Sequence, residues 1–222
     1  MQYWDGSKWI IIPIGTQGQT LTVCSGVPTW TSSGSCPATI SVLSPINNAY
    51  EGFISSYDPT LWQTGPELLI GYWTIGGNPI VLREQLKFDY SVIPVTAVID
   101  SAYLYLYSDS TPQYGNGVDP MFGSANSASI TRLTTPFTLP TPYTWNSPPA
   151  FTTVNQATIP QSNSSFENST INVTNLVKDM IATNNYGFYM KLNTESVYNI
   201  RQYVSSNDPN ISRRPKLVIY YH

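Results

Sequence analysis

The chain of 222 residues is poor in charged side chains, which make up only 10% of it. Helical bundles depend on strong helix formers such as Ala, Glu and Lys, so this scarcity argues against a mostly helical protein. The net charge is −3, and the sequence has no basic field that would attract nucleic acid. Its one basic cluster, Arg213-Arg214-Pro215-Lys216, is typical of a solvated strand edge that resists aggregation.

Histidine is almost missing, because His222 is the one imidazole in the sequence. Nucleophilic catalysis by a Ser/His/Asp or Cys/His set needs an imidazole positioned by the fold, and a Cys/His zinc site needs several ligands. Carboxylate catalysis of the glycosidase type needs no histidine, and its candidates are Glu51, Glu67, Glu84 and Asp89. We interpret Glu84 as an ion-pair partner and Asp89 as part of a strand-end turn, and we expect no enzyme.

Long apolar runs are missing as well. No segment approaches the roughly 20 apolar residues of a membrane-spanning helix, and the N-terminus lacks the charged and apolar regions of a signal peptide. The scarcity of Lys and Glu and the wealth of Thr, Ser and Asn nonetheless favour an extracellular or cell-surface location, within a larger secreted protein or assembly. Cys24 and Cys36 predict a disulfide in such a compartment, with two unpaired thiols as the alternative.

Aromatic and turn-forming residues are abundant: aromatics reach 13%, with 18 prolines and 14 glycines. This balance favours short strands joined by many turns. Residues 83–107 show the pattern most clearly, because apolar residues alternate with polar or tyrosine residues on both sides of a turn at Pro94. The alternation predicts two strands, each with one apolar face; the inward set is Leu86, Phe88, Ala102, Leu104 and Leu106.

These 25 residues read R-x-x-L-x-F-D-x-S-x-I-P-x-x-A-x-I-x-S-A-x-L-x-L-Y. The pattern resembles the core of the DNRLRE-type domain, an all-β module of secreted bacterial proteins related to carbohydrate-binding module family 96. Further segments that match are T-W-N-x-P-P, N-x-T-x-L-V, N-Y-G-F and R-P-x-L-x-I-x-Y, so the resemblance covers about residues 45–221. The resemblance implies a non-catalytic module of the extracellular space.

No internal period of 20–50 residues is present, so a solenoid or propeller is not expected. We predict an all-β fold, a two-sheet antiparallel sandwich of the jelly-roll type. One segment changes period: Leu176, Val177, Met180 and Ile181 share a helical face, which predicts one short helix at about 174–183, with Asn172 or Thr174 as its cap.

The sequence divides into a main domain at 40–222, a linker at 31–39 and a small β element at 1–30. The small element carries W-D-G-x-x-W, a hairpin signal, followed by G-T-x-G-Q-x-L-T and G-x-P-x-W. This spacing resembles short β elements of bacterial surface proteins and phage fibres. Three tryptophans cannot be buried in so short a segment, so we expect it to be a connector or an oligomerisation element.

Residues 108–129 are rich in turn formers and predict an exposed loop. Asp109, Asn116, Asp119 and Asn126 supply oxygen atoms there, but their spacing does not match the calcium loop of twelve residues. We interpret them as turn residues, with a calcium site as the alternative and no other cofactor or metal expected.

Glycan-binding modules stack exposed aromatic rings on sugar faces. The first group of candidates lies in the early strands and loops: Tyr57, Trp62, Tyr72 and Trp73. A second group is the outward row of Tyr103, Tyr105 and Tyr107. Arg83 and Lys87 share the strand face opposite Leu86 and Phe88, where two cations would suit an acidic polysaccharide. The alternative for all of these residues is a purely structural role.

We therefore expect a non-catalytic extracellular module that binds glycan or mediates surface adhesion, with a polysaccharide as partner. The alternative is a structural subunit or domain of a surface filament or phage fibre. In that case residues 1–30 would self-associate and the aromatic side chains would make protein–protein contacts.

Overall fold

The protein is an all-β antiparallel sandwich in the computed structural model, which describes residues 1–24, 26–32, 36, 38–45, 50–137 and 143–222. Two packed sheets and one short α-helix form the main body of this part of the chain. The predicted fold class is therefore confirmed. Two small hairpins precede the sandwich: β1 (Gln2–Trp4) with β2 (Trp9–Ile11), and β3 (Thr20–Cys24) with β4 (Val27–Thr31).

The smaller sheet of the sandwich has four strands in the order β14-β10-β17-β5. Their bounds are β5 (Thr39–Leu43), β10 (Ile99–Leu106), β14 (Ser169–Asn172) and β17 (Lys216–Tyr221). The edge strand β5 and the last strand β17 pair directly, in a register that places Thr39 opposite Tyr221 and Leu43 opposite Leu217.

The larger sheet has nine strands. The bounds are β6 (Glu51–Ser55), β7 (Trp62–Gln63), β8 (Glu67–Ile75), β9 (Asn78–Leu86), β11 (Met121–Phe122), β12 (Ala128–Leu133), β13 (Phe151–Ile159), β15 (Phe188–Leu192) and β16 (Asn199–Val204). Its main path runs β11-β16-β8-β9-β15-β12-β13, and β6 also pairs with β9. Strand β9 thus changes partners along its length: residues 78–82 pair with β8 and residues 84–86 with β15.

The main core lies between the two sheets. Leu104 and Leu106 of the smaller sheet are fully buried in it, together with Leu86 at the end of β9 and Phe88 just after it. The inward set predicted from alternation is therefore confirmed. The two predicted strands do not form a hairpin, however, because β9 lies in the large sheet and β10 in the small one. The turn around Pro94 carries the chain from one sheet to the other.

The helix α1 (Thr174–Ala182) closes the core, to which Leu176, Val177 and Met180 contribute buried side chains. The position of the helix agrees with the prediction, but the predicted cap is wrong, because the N-cap residue is Val173, which forms no side-chain cap hydrogen bond. Asn172 lies one residue before it, and its Oδ1 accepts hydrogen bonds from the backbone N–H and the hydroxyl of Thr174.

Candidate functional site

A second apolar cluster lies apart from the main core, on the face of the large sheet that carries Trp73. Trp73 is on β8, shortly before a hairpin whose two turn residues, Gly76 and Gly77, have φ of 56° and 81°. Two adjacent residues with positive φ are the signature of the hairpin turn that matches strand twist. The turn returns the chain into β9, where Ile80 pairs with Trp73 across the strands.

An open cavity of about 180 Å3 lies over this cluster. Strands β8, β9 and β16 provide its base and the segment 114–115 provides a wall. The lining residues are Trp73, Thr74, Ile75, Ile80, Leu82, Tyr114, Gly115 and Ile200. Among the described residues that line it, none carries a charge.

Aromatic rings surround the cavity. The ring of Trp73 meets Phe122 at 5.4 Å and Tyr198 at 5.2 Å between centroids, both edge to face. On the other side, Tyr114 meets Phe53 at 6.4 Å. Tyr114 remains 41% exposed and Tyr198 52% exposed, so ring surface at the cavity is open to solvent. A ligand can therefore contact aromatic carbon there without any rearrangement of the sheet.

Tyr198 has a backbone φ of 63°. This left-handed conformation is uncommon for a residue with a large side chain and costs of order 1–3 kcal/mol. Such outliers occur frequently at binding sites, where the surrounding structure holds them in place. Here the conformation places the tyrosine ring against Trp73.

Buried polar groups lie behind the Gly115 wall of the cavity. Gly115 has a φ of 65°, and a Cβ added to it would lie 3.0 Å from Oε1 of Gln202. The amide Nε2 of Gln202 donates to the Glu67 carboxylate at 2.7 Å, and both side chains are almost fully buried. Burial raises the pKa of Glu67. The Glu67 carboxyl group is thus connected to this wall through Gln202 and is already hydrogen-bonded.

Arg83 and Lys87 do not reach this cavity. Arg83 forms a two-pronged ion pair with Glu195, and its guanidinium lies over the Trp145 ring at 4.6 Å. The ammonium of Lys87 lies 5.3 Å from the centre of the Tyr50 ring, and burial lowers its pKa. Both cations are therefore already engaged by the protein, and Lys87 lies just beyond the end of β9.

The remaining candidates of the early strands are also separated. Trp62 packs against Phe137 at 5.2 Å in a third apolar cluster, which includes Ile54 and Tyr189. Tyr72 packs against the main core, and Tyr57 is 52% exposed. Of the predicted aromatic candidates, the cavity is lined by Trp73 alone.

The tyrosine row lies on the outer face of the smaller sheet. Tyr103, Tyr105 and Tyr107 are each half-buried. The ammonium of Lys216 lies 5.1 Å from the Tyr105 ring centre and 5.6 Å from that of Tyr107. This face is an aromatic surface that carries the Lys216 ammonium.

The segment 108–129 is only partly the exposed loop that was predicted. Asn126 is fully buried, and its Oδ1 accepts hydrogen bonds from Ser162 and Arg201. Asn116 and Asp119 bond to each other, and Asp109 accepts from Thr111. The contacts of Asn116, Asp119 and Asp109 are turn contacts as predicted, whereas the interpretation of Asn126 as a turn residue is wrong, because its buried side chain bonds to distant parts of the chain. Over the described ranges, no group of three or more His, Cys, Asp or Glu is placed to hold a metal ion.

The carboxyl groups considered for catalysis have structural surroundings. Glu84 is fully buried where β8 and β15 diverge, and it accepts hydrogen bonds from the backbone N–H of Leu69 and Gln85. Its interpretation as an ion-pair partner is wrong, because the unpaired backbone of the diverging strands needs an acceptor there. Glu51 accepts hydrogen bonds from Ser206. Asp89 accepts from Ser91 in the expected turn.

The N-terminal hairpins expose apolar side chains. Trp4 and Trp9 pack edge to face at 5.7 Å yet are 52% and 65% exposed. Trp30 is better covered, because its ring lies over Gly15 and its indole N–H donates to the Pro13 carbonyl at 2.8 Å. The residues 25, 33–35 and 37, within and beside the predicted linker, lie outside the described residues.

Cys24 and Cys36 are joined in a disulfide, with 5.3 Å between their Cα atoms. The bond ties β3 to the chain that leads into the main domain. A second cavity of about 510 Å3 lies where this unit meets the main domain, lined by Val23, Gly26, Cys36, Thr96, Val98 and His222.

Sequence reasoning missed Tyr114, Phe122 and Tyr198 as companions of Trp73. Each comes from a segment without a strand pattern or at its edge, and the three converge only through the pairing of β11 and β16 with β8. The turn formers around Tyr114, in Y-G-N-G, are the one local signal of a projecting ring.

No protein-family model matches the chain, and no curated protein matches it significantly. The described residues include no helix that is long and apolar enough to cross a membrane.

Proposed function

We propose that this protein is a non-catalytic glycan-binding module whose ligand stacks on the aromatic cavity at Trp73. The observation that carries the proposal is an uncharged, open cavity lined by Trp73 and the exposed Tyr114, with the exposed Tyr198 ring packed against Trp73. Solvent-exposed rings that border a cavity offer flat apolar surface for a sugar face. The extracellular location expected from the composition and the resemblance of the sequence to a carbohydrate-binding family favour the same proposal.

Affinity electrophoresis in gels that contain neutral or acidic polysaccharides tests the proposal. We expect at least one polysaccharide to retard the protein. Tyr114→Ala should lower the affinity calculated from the retardation about fivefold, because one stacked ring contributes about 1 kcal/mol. Tyr105→Ala, on the outer face of the smaller sheet, is the matched control. Retardation that depends on Tyr105 and not on Tyr114 would move the site to the tyrosine row.

A second candidate function is structural: a subunit or domain of a surface filament or fibre that assembles through the N-terminal hairpins. The observation in its favour is the exposed Trp4 and Trp9 pair on one face of the first hairpin. Exposed apolar surface of this kind commonly marks a contact with another chain. Trp9→Ala should then abolish concentration-dependent assembly in sedimentation velocity, whereas Tyr114→Ala should leave it unchanged.

A further inference from the structure

We infer that the Trp73 cavity selects an uncharged sugar ring and excludes its uronic acid counterpart. This inference rests on the proposed function and makes its ligand class specific. It differs from the expectation drawn from Arg83 and Lys87, which favoured an acidic polysaccharide.

The cavity is small. Its volume of about 180 Å3 is smaller than the roughly 300–1,000 Å3 of pockets that hold drug-sized ligands. It suits one ring-sized group, which would pack on Trp73 and on the aliphatic side chains of Ile80 and Ile200. A ring that enters loses water from the faces that meet these side chains.

The charge of the ligand is the second consideration. A carboxylate that leaves water needs a cation or several hydrogen-bond donors, since an unpaired buried charge is very costly. The described lining residues provide neither Lys nor Arg. The cations that could have filled this role, Arg83 and Lys87, are held on the other side of β9 by Glu195 and the rings of Trp145 and Tyr50.

The third feature is the Gln202 amide, which lies behind the Gly115 wall of the cavity. Oε1 of Gln202 lies behind Gly115 and has no hydrogen-bond partner among the residues that the structure describes, while Nε2 of the same amide is fixed by Glu67. The amide therefore turns its negative end toward the cavity wall, with a carboxyl group behind it. Both groups disfavour an anion and tolerate a neutral ring.

The test uses the methyl glycosides of glucose, galactose and mannose, each paired with its uronic acid counterpart, and the full chain labelled with 15N. The readout is the indole N–H signal of Trp73, which is identified by its loss in Trp73→Phe. We expect at least one neutral glycoside to shift this signal, and its uronate to bind at least about tenfold more weakly.

Two outcomes separate this inference from the function on which it rests. A uronate that binds as tightly as its neutral counterpart, or that alone binds, overturns the selectivity and leaves glycan binding intact. If no neutral glycoside or uronate shifts the Trp73 signal, and no polysaccharide retards the protein, both proposals fall together.

A gain-of-charge variant tests the stated cause. Ile75 lines the cavity and is 43% exposed, so Ile75→Lys places a cation at the rim without burying it. We expect uronate affinity to be about fivefold higher than in Ile75→Met, the matched variant that changes the side chain without adding a charge. Equal uronate affinity in the two variants would show that the missing cation is not what excludes the acid.

Discussion

Arg83 and Glu195 are joined by two parallel hydrogen bonds, Nε to Oε1 at 2.8 Å and Nη2 to Oε2 at 2.9 Å. The pair connects β9 to the loop that follows β15, and both side chains are about three-quarters covered. Glu195 and the nearby Tyr189 hydroxyl raise the pKa of Arg83 against the effect of its burial. Arg83 is held by these contacts and therefore has a structural role.

We expect Arg83→Ala and Glu195→Ala each to lower the free energy of unfolding, with a coupling between them of about 1–2 kcal/mol in a double-mutant cycle. Urea unfolding of the two single variants and the double variant measures it. Polysaccharide retardation should not change in folded Arg83→Ala. Loss of retardation in a variant that is still folded would return Arg83 to the binding site.

Tyr198 offers a test that separates ring contact from folding. Tyr198→Asn keeps a residue type that tolerates positive φ, so we expect stability to change by less than about 1 kcal/mol while ligand affinity falls about fivefold. Tyr198→Phe, which retains the ring, is the matched control and should keep most of the affinity. Thermal unfolding and the Trp73 indole signal give the two readouts. Equal loss in both variants would assign the effect to the hydroxyl instead of to ring stacking.

Stability should fall as the pH rises, because burial raises the pKa of Glu51 from 4.5 to about 7. A carboxyl group with a raised pKa in the folded state favours folding fully below about pH 4.5, and this contribution is lost as the pH rises through about 7. The difference corresponds to about 3 kcal/mol. Burial also raises the pKa of Glu84, which extends the loss in the same direction.

Glu51→Gln isolates this contribution, since an amide oxygen can still accept the hydrogen bonds from Ser206. Urea unfolding at about pH 4 and about pH 8 should show that the variant loses less stability than the wild type between the two. An identical loss in both proteins would mean that Glu51 does not change its ionisation on folding.

The disulfide should stabilise the N-terminal hairpins and not the sandwich. Closing a short loop between Cys24 and Cys36 contributes up to about 3 kcal/mol to the local unit. Under reduction we expect faster hydrogen exchange in β3 and β4, with the exchange of β10 and β17 unchanged; Cys36→Ser should behave in the same way without reductant. Faster exchange throughout the sandwich would show that the two units unfold together.

Much of the scaffold was predictable from the sequence because alternation reports burial directly. Leu104 and Leu106 are buried and Tyr103 and Tyr105 face outward, as period two requires. The helix was predictable for the same reason, at its own period. The resemblance to the DNRLRE-type domain stays a prediction.

The candidate site was largely unpredictable, because it depends on which side of a strand is covered. Arg83 and Trp73 lie on neighbouring strands, yet Arg83 meets Trp145 while Trp73 meets Tyr198. Those partners come from distant loops whose positions follow from sheet pairing and not from local pattern. Periodicity shows which residues share a face, but it does not show what lies on that face.

The direct pairing of β5 with β17 has a mechanical consequence. Thr39 and Tyr221 are partners at one end of the antiparallel ladder, so the chain enters and leaves the sandwich at the same place. Tension applied at these two points would act perpendicular to the strands and break the hydrogen bonds between β5 and β17 one after another. Strands β5 and β17 would therefore separate at low force, and β10 would carry load only through its own pairing with β17.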